Sequence, residues 1–302
     1  MSLPETDRAH VQIGDLVVHF KASDTGGTHY YGRSHFEEYR SALYPCLQAE
    51  LAPAVCLDVG ANYGYTGLLM HRAFPQARLI LVEPIPWLEP FVRHNFAVNG
   101  ARLDAFHSAI VSVVPEGGRS SFGVNTKATQ DSRVVAKPGW DVVETDVVAI
   151  DDLLADVPPD QGVYIKIDTQ GWEKSVFASG AAFLARHPRW FIKTEFAPAW
   201  LESQGTDPAA LLGDLLNRYA VFEHLGRTRW RAETLAEIMG RPLEPGCEAD
   251  FVHYVRNLGR NDTGWVDLFV VPKAFQPARR PSAPPEAPRV PLLSRLAAAW
   301  RG

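Results

Sequence analysis

The chain has 302 residues, 46% of them hydrophobic, enough to bury the core of one full domain with appendages or of two small domains at most. Its formal net charge is −5, with lysine and arginine dispersed, so there is no basic footprint for nucleic acid or another polyanion. No apolar run approaches membrane-spanning length, and MSLPETDRAH carries no leader pattern of basic then apolar residues, so a cytoplasmic protein is expected. Residues 11–20, VQIGDLVVHF, read as a short strand, and SHFEEYRSALYPCLQAEL has helix-compatible spacing ending before Pro53. Residues 1–50 are expected to form an N-terminal cover.

From residue 51 to residue 273 strands and helices alternate. AVCLDVG is a strand, a helix runs from about Tyr65 to Ala73, RLILVEP is the second strand, and a helix follows from Pro86 to Asn99. Trp87, Leu88, Phe91, Val92, Asn95 and Phe96 give that helix an apolar stripe, with Pro86 in its first turn and Gly100 at its end. LDAFHSAIVSVV is expected as the third strand, and SSFGVN with DVVETDVVAI as an inserted antiparallel hairpin. VYIKID and WFIKTEF are the fourth and fifth strands, separated by the helical WEKSVFASGAAFLARH. DPAALLGDLLNRYA is a helix capped by Asp207, and AVFEHL and GWVDLFVVPK close the series. Such alternation implies a mostly parallel sheet covered on both faces. Residues 274–302 are too rich in proline to join the core and are expected as a flexible tail, with LLSRLAAAWRG a marginal amphipathic helix.

In an open α/β sheet the ligand lies beyond the carboxyl ends of the strands. The residues there are Asp58 to Asn62, Glu83, Ser108 to Ile110, Asp168 and Glu195. Glu83 ends the second strand, where one carboxylate can accept from both hydroxyls of a ribose. The first loop reads D-x-G-x-N-x-G and not G-x-G-x-x-G, so it has no pyrophosphate to cradle and suits a ligand built of an adenosine and an amino acid. Two other readings of the loop stay open, a nicotinamide-dependent oxidoreductase and a non-catalytic nucleoside-binding scaffold. The three cysteines, Cys46, Cys56 and Cys247, and the ten histidines fit no metal-ligand spacing, so no metal is expected and the thiols point to a reducing compartment.

Together CLDVGANYGYTGLLM, LILVEPIPWLEPFVRHNFAVNG, VVAIDDLL, YIKIDTQGWEKSVFASGAAFL and VDLFVVPK resemble the FkbM family of S-adenosylmethionine-dependent methyltransferases, over roughly Pro45 to Lys273. The resemblance implies a Rossmann-like class I methyltransferase fold, with a mostly parallel seven-stranded sheet. It implies S-adenosylmethionine as cofactor and a hydroxyl of a sugar, glycan or polyketide product as acceptor. By that resemblance Asp58, Gly60, Asn62 and Gly64 belong to the first cofactor loop, Glu83 to the ribose contact, and Ser108 and Ala109 to the adenine edge. Asp168 matches the second family motif and serves both cofactor and catalysis, with Glu195 and then His107 as further candidates for the proton acceptor. Trp172 departs from the commoner family wording, where a smaller residue stands, and residues 224–251 are long and individual enough to form a substrate-selecting lid.

Overall fold

Four apolar runs make the centre of the sheet: β3 (Pro53–Val59), β4 (Arg78–Val82), β9 (Gly162–Ile167) and β10 (Trp190–Phe196). Runs this apolar are stable only when both faces are covered. A computed structural model describes residues 7–28, 36–224 and 231–277. The remaining strands in chain order are β1 (Ala9–Ile13), β2 (Leu16–Phe20), β5 (Ala105–His107), β6 (Ala109–Val111), β7 (Arg119–Val124), β8 (Asp141–Val148), β11 (Ala220–Glu223) and β12 (Val266–Val271). The seven-stranded sheet has the order β11-β12-β10-β9-β3-β4-β5, with β12 antiparallel to both of its neighbours and the rest parallel. It is a Rossmann-like, mostly parallel sheet. The chain leaves β3 toward β4 on one side and later returns to β9 on the other, which opens the ligand crevice at their carboxyl ends.

Side chains alternate between two cores. Val55, Leu57, Val59, Ile165, Ile167 and Ile192 pack on one face. Cys56, Tyr164, Phe191 and Phe269 pack on the other, against the N-terminal cover. The period of two therefore puts Asp58, Lys166, Lys193 and Asp267 on the cover side, two residues from those four.

Residues 11–20 belong to a hairpin and not to a single strand: Gly14, at φ 64°, turns the chain between β1 and β2. The hairpin docks on the helix Glu89–Val98 through two asparagines that imitate a neighbouring strand. Asn95 Oδ1 accepts from His19 N at 2.7 Å while its Nδ2 donates to the His19 and Tyr63 carbonyls, and Asn99 pairs with Val17 in the same way. Ile13, Val18 and Leu47 of the cover share one core with Leu51, Tyr63, Leu68 and Met70.

Three other expectations change. The third strand is broken at Ser108, because β5 pairs with β4 whereas β6 turns away to pair with β8, so the insertion is a three-stranded sheet, β6-β8-β7. Thr145 Oγ1 donates to Ser108 O at 3.0 Å and holds that corner. The helix after Trp172 is two, Glu173–Ser179 and Ala181–Arg186, meeting at Gly180 where a Cβ would press on Ile150. Among the described residues of 224–251 no helix lies over the site. Leu235–Met239 packs on the helix Leu43–Glu50, with Leu235 N donating to Glu50 Oε1 at 2.7 Å, and Glu248–Arg256 packs on Pro208–Arg218. Residues 225–230 and the tail from residue 278, with its expected short helix, lie outside the described residues.

Candidate active site

The loop after β3 uses the left-handed region three times, at Gly60 (φ 80°), Asn62 (φ 49°) and Gly64 (φ 82°). At Gly60 the reason is an approach between strand ends. A Cβ there would lie 1.9 Å from the main-chain oxygen of Asp168. At Gly64 it would lie 3.1 Å from Val92 and 3.3 Å from Phe96, so this glycine lets the helix Glu89–Val98 pack and does not line the site, contrary to its expected place beside the cofactor.

Glu83 holds the loop from below. Its Oε2 accepts from Asn62 N at 2.8 Å and its Oε1 from Ile85 N at 3.1 Å, which leaves each oxygen a lone pair for another donor. Burial pushes its carboxyl from 4.5 up to about 7, against the pull of those two N–H groups. The folded chain therefore keeps a proton that the unfolded chain has released, and apoprotein stability is expected to fall as pH rises from about 4.5 to about 7. Hydroxyl donors favour the ionised form, so affinity for S-adenosylhomocysteine, the ligand type that the sequence resemblance implies, should rise over the same window. Melting and calorimetric titration across it, on wild type and Glu83→Gln, check both slopes; the Glu83 contribution is the difference between the two proteins.

Lys193 and Lys166 stand directly opposite one another on β10 and β9. Like charges so placed repel, and here each is neutralised by two carboxylates. Lys166 Nζ lies 3.4 Å from both Asp58 Oδ1 and Asp168 Oδ2, and donates to Gly60 O at 3.3 Å. Burial works against its charge, but the two acids outweigh it and raise its pKa. Asp58 is wholly buried behind the loop, and burial pushes its carboxyl up despite Lys166. Lys193 Nζ lies 3.1 Å from Asp267 Oδ2 and 3.4 Å from Glu38 Oε1, the latter reaching down from the cover. Although burial opposes it, Lys193 with His224 holds Asp267 far below the usual carboxylate range. His224 Nδ1 faces Asp267 Oδ2 at 3.6 Å, and its Nε2 is buried with no partner.

The loop after β9 is braced from within. Glu173 Oε1 accepts from Thr169 N, Thr169 Oγ1 and Gly171 N, which permits the turn through Gln170 (φ 55°) and Gly171 (φ 100°). Gln170 Nε2 then donates to Asp168 Oδ1 at 3.2 Å and to Glu195 Oε2 at 3.1 Å, joining two carboxyl groups through one amide. Burial, and then Asp168, push the Glu195 carboxyl well above the ordinary carboxylate range.

These elements enclose a cavity of about 550 Å³. Gly60, Asn62, Glu83, Ala109, Asp168 and Glu195 line it, whereas Asp58, Gly64, His107 and Ser108 do not. His107 contributes its main-chain oxygen, which accepts from Glu83 N at 3.1 Å, and its ring stays outside the cavity. The Ser108 hydroxyl is buried without a partner. Lys166, Lys193, Thr129 and His224 also line the cavity and were missed. For the lysines a signal existed. IKID and WFIKTEF each place a lysine two residues before an acid in an otherwise buried strand, and a charge there requires a partner. Of residues 224–251 only His224, among the described residues, reaches the cavity.

The profile of the methyltransferase FkbM domain matches residues 58–223, more than half of the chain. The chain belongs to the FkbM methyltransferase family. It is a methyltransferase with S-adenosylmethionine as its cofactor, which sets the nicotinamide reading aside. The FkbM chain fits that group at the positions described. Glu83 keeps a free lone pair on each oxygen for the ribose hydroxyls, Pro84, Ala109, Ile110 and Val111 offer an apolar wall for a purine, and the cavity is large enough for both. No curated protein matches the sequence.

Solved structures that resemble the FkbM chain include methyltransferase FkbM from Methylobacillus flagellatus KT (13% identity, TM-score 0.38, covering 72% of this chain and 43% of that one). Others are precorrin-6y C5,15-methyltransferase from Geobacter metallireducens GS-15 (14%, 0.37, 78% and 88%) and P. horikoshii TYW2 in complex with MeSAdo (9%, 0.42, 90% and 74%). The chain thus spans 43% of the length of the Methylobacillus protein. Likenesses this distant do not inform the chemistry. Among the described residues no helix is long and apolar enough to cross a membrane, and no group of three or more His, Cys, Asp or Glu side chains is placed to hold a metal ion.

Proposed function

We propose that the protein methylates a hydroxyl oxygen of a sugar, glycan or polyketide-type acceptor, with Asp168 as the proton acceptor. The observation that carries this reading is a pair of carboxyl groups in one cavity, joined by Gln170 and set to different tasks. Burial pushes the Glu195 carboxyl upward, which favours its protonated form and suits it to donate a hydrogen bond to the acceptor. Asp168 is salt-bridged to Lys166, its side chain is 37% exposed, and it can meet an incoming hydroxyl. Divergent environments for neighbouring acids are how proton donors and acceptors are told apart.

When bound, S-adenosylmethionine supplies a methyl carbon made electrophilic by a sulfonium. The protein's own part is to hold the acceptor oxygen in line, to exclude water and to receive the hydroxyl proton. Trp172, Trp200 and Trp265 on the cavity wall support the exclusion of water and offer faces to a ring-shaped acceptor. Glu83, Asn62 and Ala109 are the residues assigned to the cofactor, and Asp58 acts behind them through Lys166. His224 is a second candidate proton acceptor, because its Nε2 is buried in the cavity wall without a partner. The free thiols of Cys46, Cys56 and Cys247 support action in a reducing compartment such as the cytoplasm.

The test is a panel of glycosides and polyketide alcohols, each offered with its O-blocked ether and with methyl-labelled S-adenosylmethionine. Label should pass to a free alcohol and not to its ether. Equal labelling of both members of a pair would overturn the hydroxyl assignment.

A further inference from the structure

A carboxylate only accepts hydrogen bonds, so a buried one fixes the direction of every bond that ends on it. Asp24 is completely buried, and it lies in the N-terminal segment, before the residues that match the family. Four donors converge on it: Tyr63 Oη at 2.9 Å and Thr129 Oγ1 at 2.5 Å on Oδ2, and Gly27 N at 2.9 Å and Thr129 N at 3.4 Å on Oδ1. The Thr129 hydroxyl has one hydrogen, and it goes to Asp24. Toward Asn62 it therefore offers only lone pairs. The Asn62 atom 2.9 Å away must be the amide nitrogen, which donates. The other amide atom, Oδ1, is thereby turned away from Thr129, on a side chain that lines the cavity and whose main-chain N is already held by Glu83.

We infer that the chain Asp24–Thr129–Asn62 fixes Asn62 Oδ1 as an acceptor for the ammonium group at the amino-acid end of the cofactor, and that Asp24 is the positioning residue that sets this polarity. Glu83 already matches the ribose hydroxyls, and the apolar wall at Ala109 takes the purine. The adenine amine travels with the purine to that wall, so at the amino-acid end the ammonium is the donor to be matched. A cavity lined by more carboxylates than ammonium groups also favours a cation over an anion there. The inference concerns the cofactor only, so it stands whether or not the acceptor proves to be an alcohol.

The test is calorimetric titration of the full chain with S-adenosylhomocysteine and with 5′-methylthioadenosine, which keeps the adenosine and the thioether but lacks the amino-acid end. Asp24→Asn, which allows the Thr129 hydroxyl to reverse, and Thr129→Val, which removes it, should each weaken S-adenosylhomocysteine by about tenfold or more. Each should leave methylthioadenosine within about twofold, a split that a merely structural role would not produce. Equal weakening of both ligands would mean that the chain only shapes the loop, and would overturn the inference. Unchanged affinity for both would overturn it as well. Should Asp24→Asn fail to fold by circular dichroism, Thr129→Val, of nearly the same shape, carries the test alone.

Discussion

Asp168→Asn is expected to lower turnover by about 10²–10⁴-fold and to change S-adenosylhomocysteine affinity by less than about twofold. The substitution keeps the shape of the side chain and an oxygen for Gln170 Nε2, while it removes the proton acceptor and one of the two acids beside Lys166. Lys166 keeps Asp58 and the Gly60 carbonyl, so the cofactor loop retains its brace. If affinity collapses together with turnover, Asp168 acts through Lys166 on the loop and is a positioning residue. If turnover stands, the proton leaves by another route. His224 is then the group to replace, since burial disposes Glu195 to keep its proton and the His107 ring lies outside the cavity.

Gly60→Ala should reduce S-adenosylhomocysteine binding by about 10²-fold or more and lower the melting temperature. Its Cβ would stand 1.9 Å from a main-chain oxygen, and φ 80° is strained for alanine in any case. Backbone cannot rotate aside as a side chain can, so the ends of β3 and β9 must part. Shifts of about 1 Å at a site of this kind cost about that much in function. Gly64→Ala is the control. There the new methyl meets the ends of Val92 and Phe96 at 3.1 and 3.3 Å, and φ 82° adds strain, so stability falls first and binding follows only as far as the helix moves. Melting curves and calorimetry on both variants separate these cases. Equal losses of affinity would mean that the loop is tuned as a whole and not at its contact with Asp168.

The sheet was legible because its strands are long apolar runs that end in turn residues, and a run such as LILV has no other stable place than between two layers of helix. The break at Ser108 was not legible. AFH and AIV are equally good strand sequences, and only the partner strands, β4 and β8, decide that they part. The hairpin at Gly14 was read as one strand for a similar reason, since its docking depends on Asn95 and Asn99, some 80 residues away in sequence.

The same division runs through the site. Glu83, Asn62 and Asp168 stand where strands end, so topology alone placed them at the cavity. Lys166 and Lys193 sit inside strands, and their meaning depends on four carboxylates brought from β3, the β9 loop, β12 and the cover. Asp24 is in a segment with no motif, and only the fold shows that it meets Thr129 and Tyr63.

The most direct test of the account is the position of the transferred methyl group. Carbon-13 magnetic resonance of the product formed from methyl-labelled S-adenosylmethionine distinguishes a methyl on oxygen from one on nitrogen or carbon. The account predicts an oxygen-bound methyl, with the amount formed by Asp168→Asn in equal time reduced by about 10²-fold or more. A methyl on nitrogen or carbon, or wild-type yield from Asp168→Asn, would contradict it.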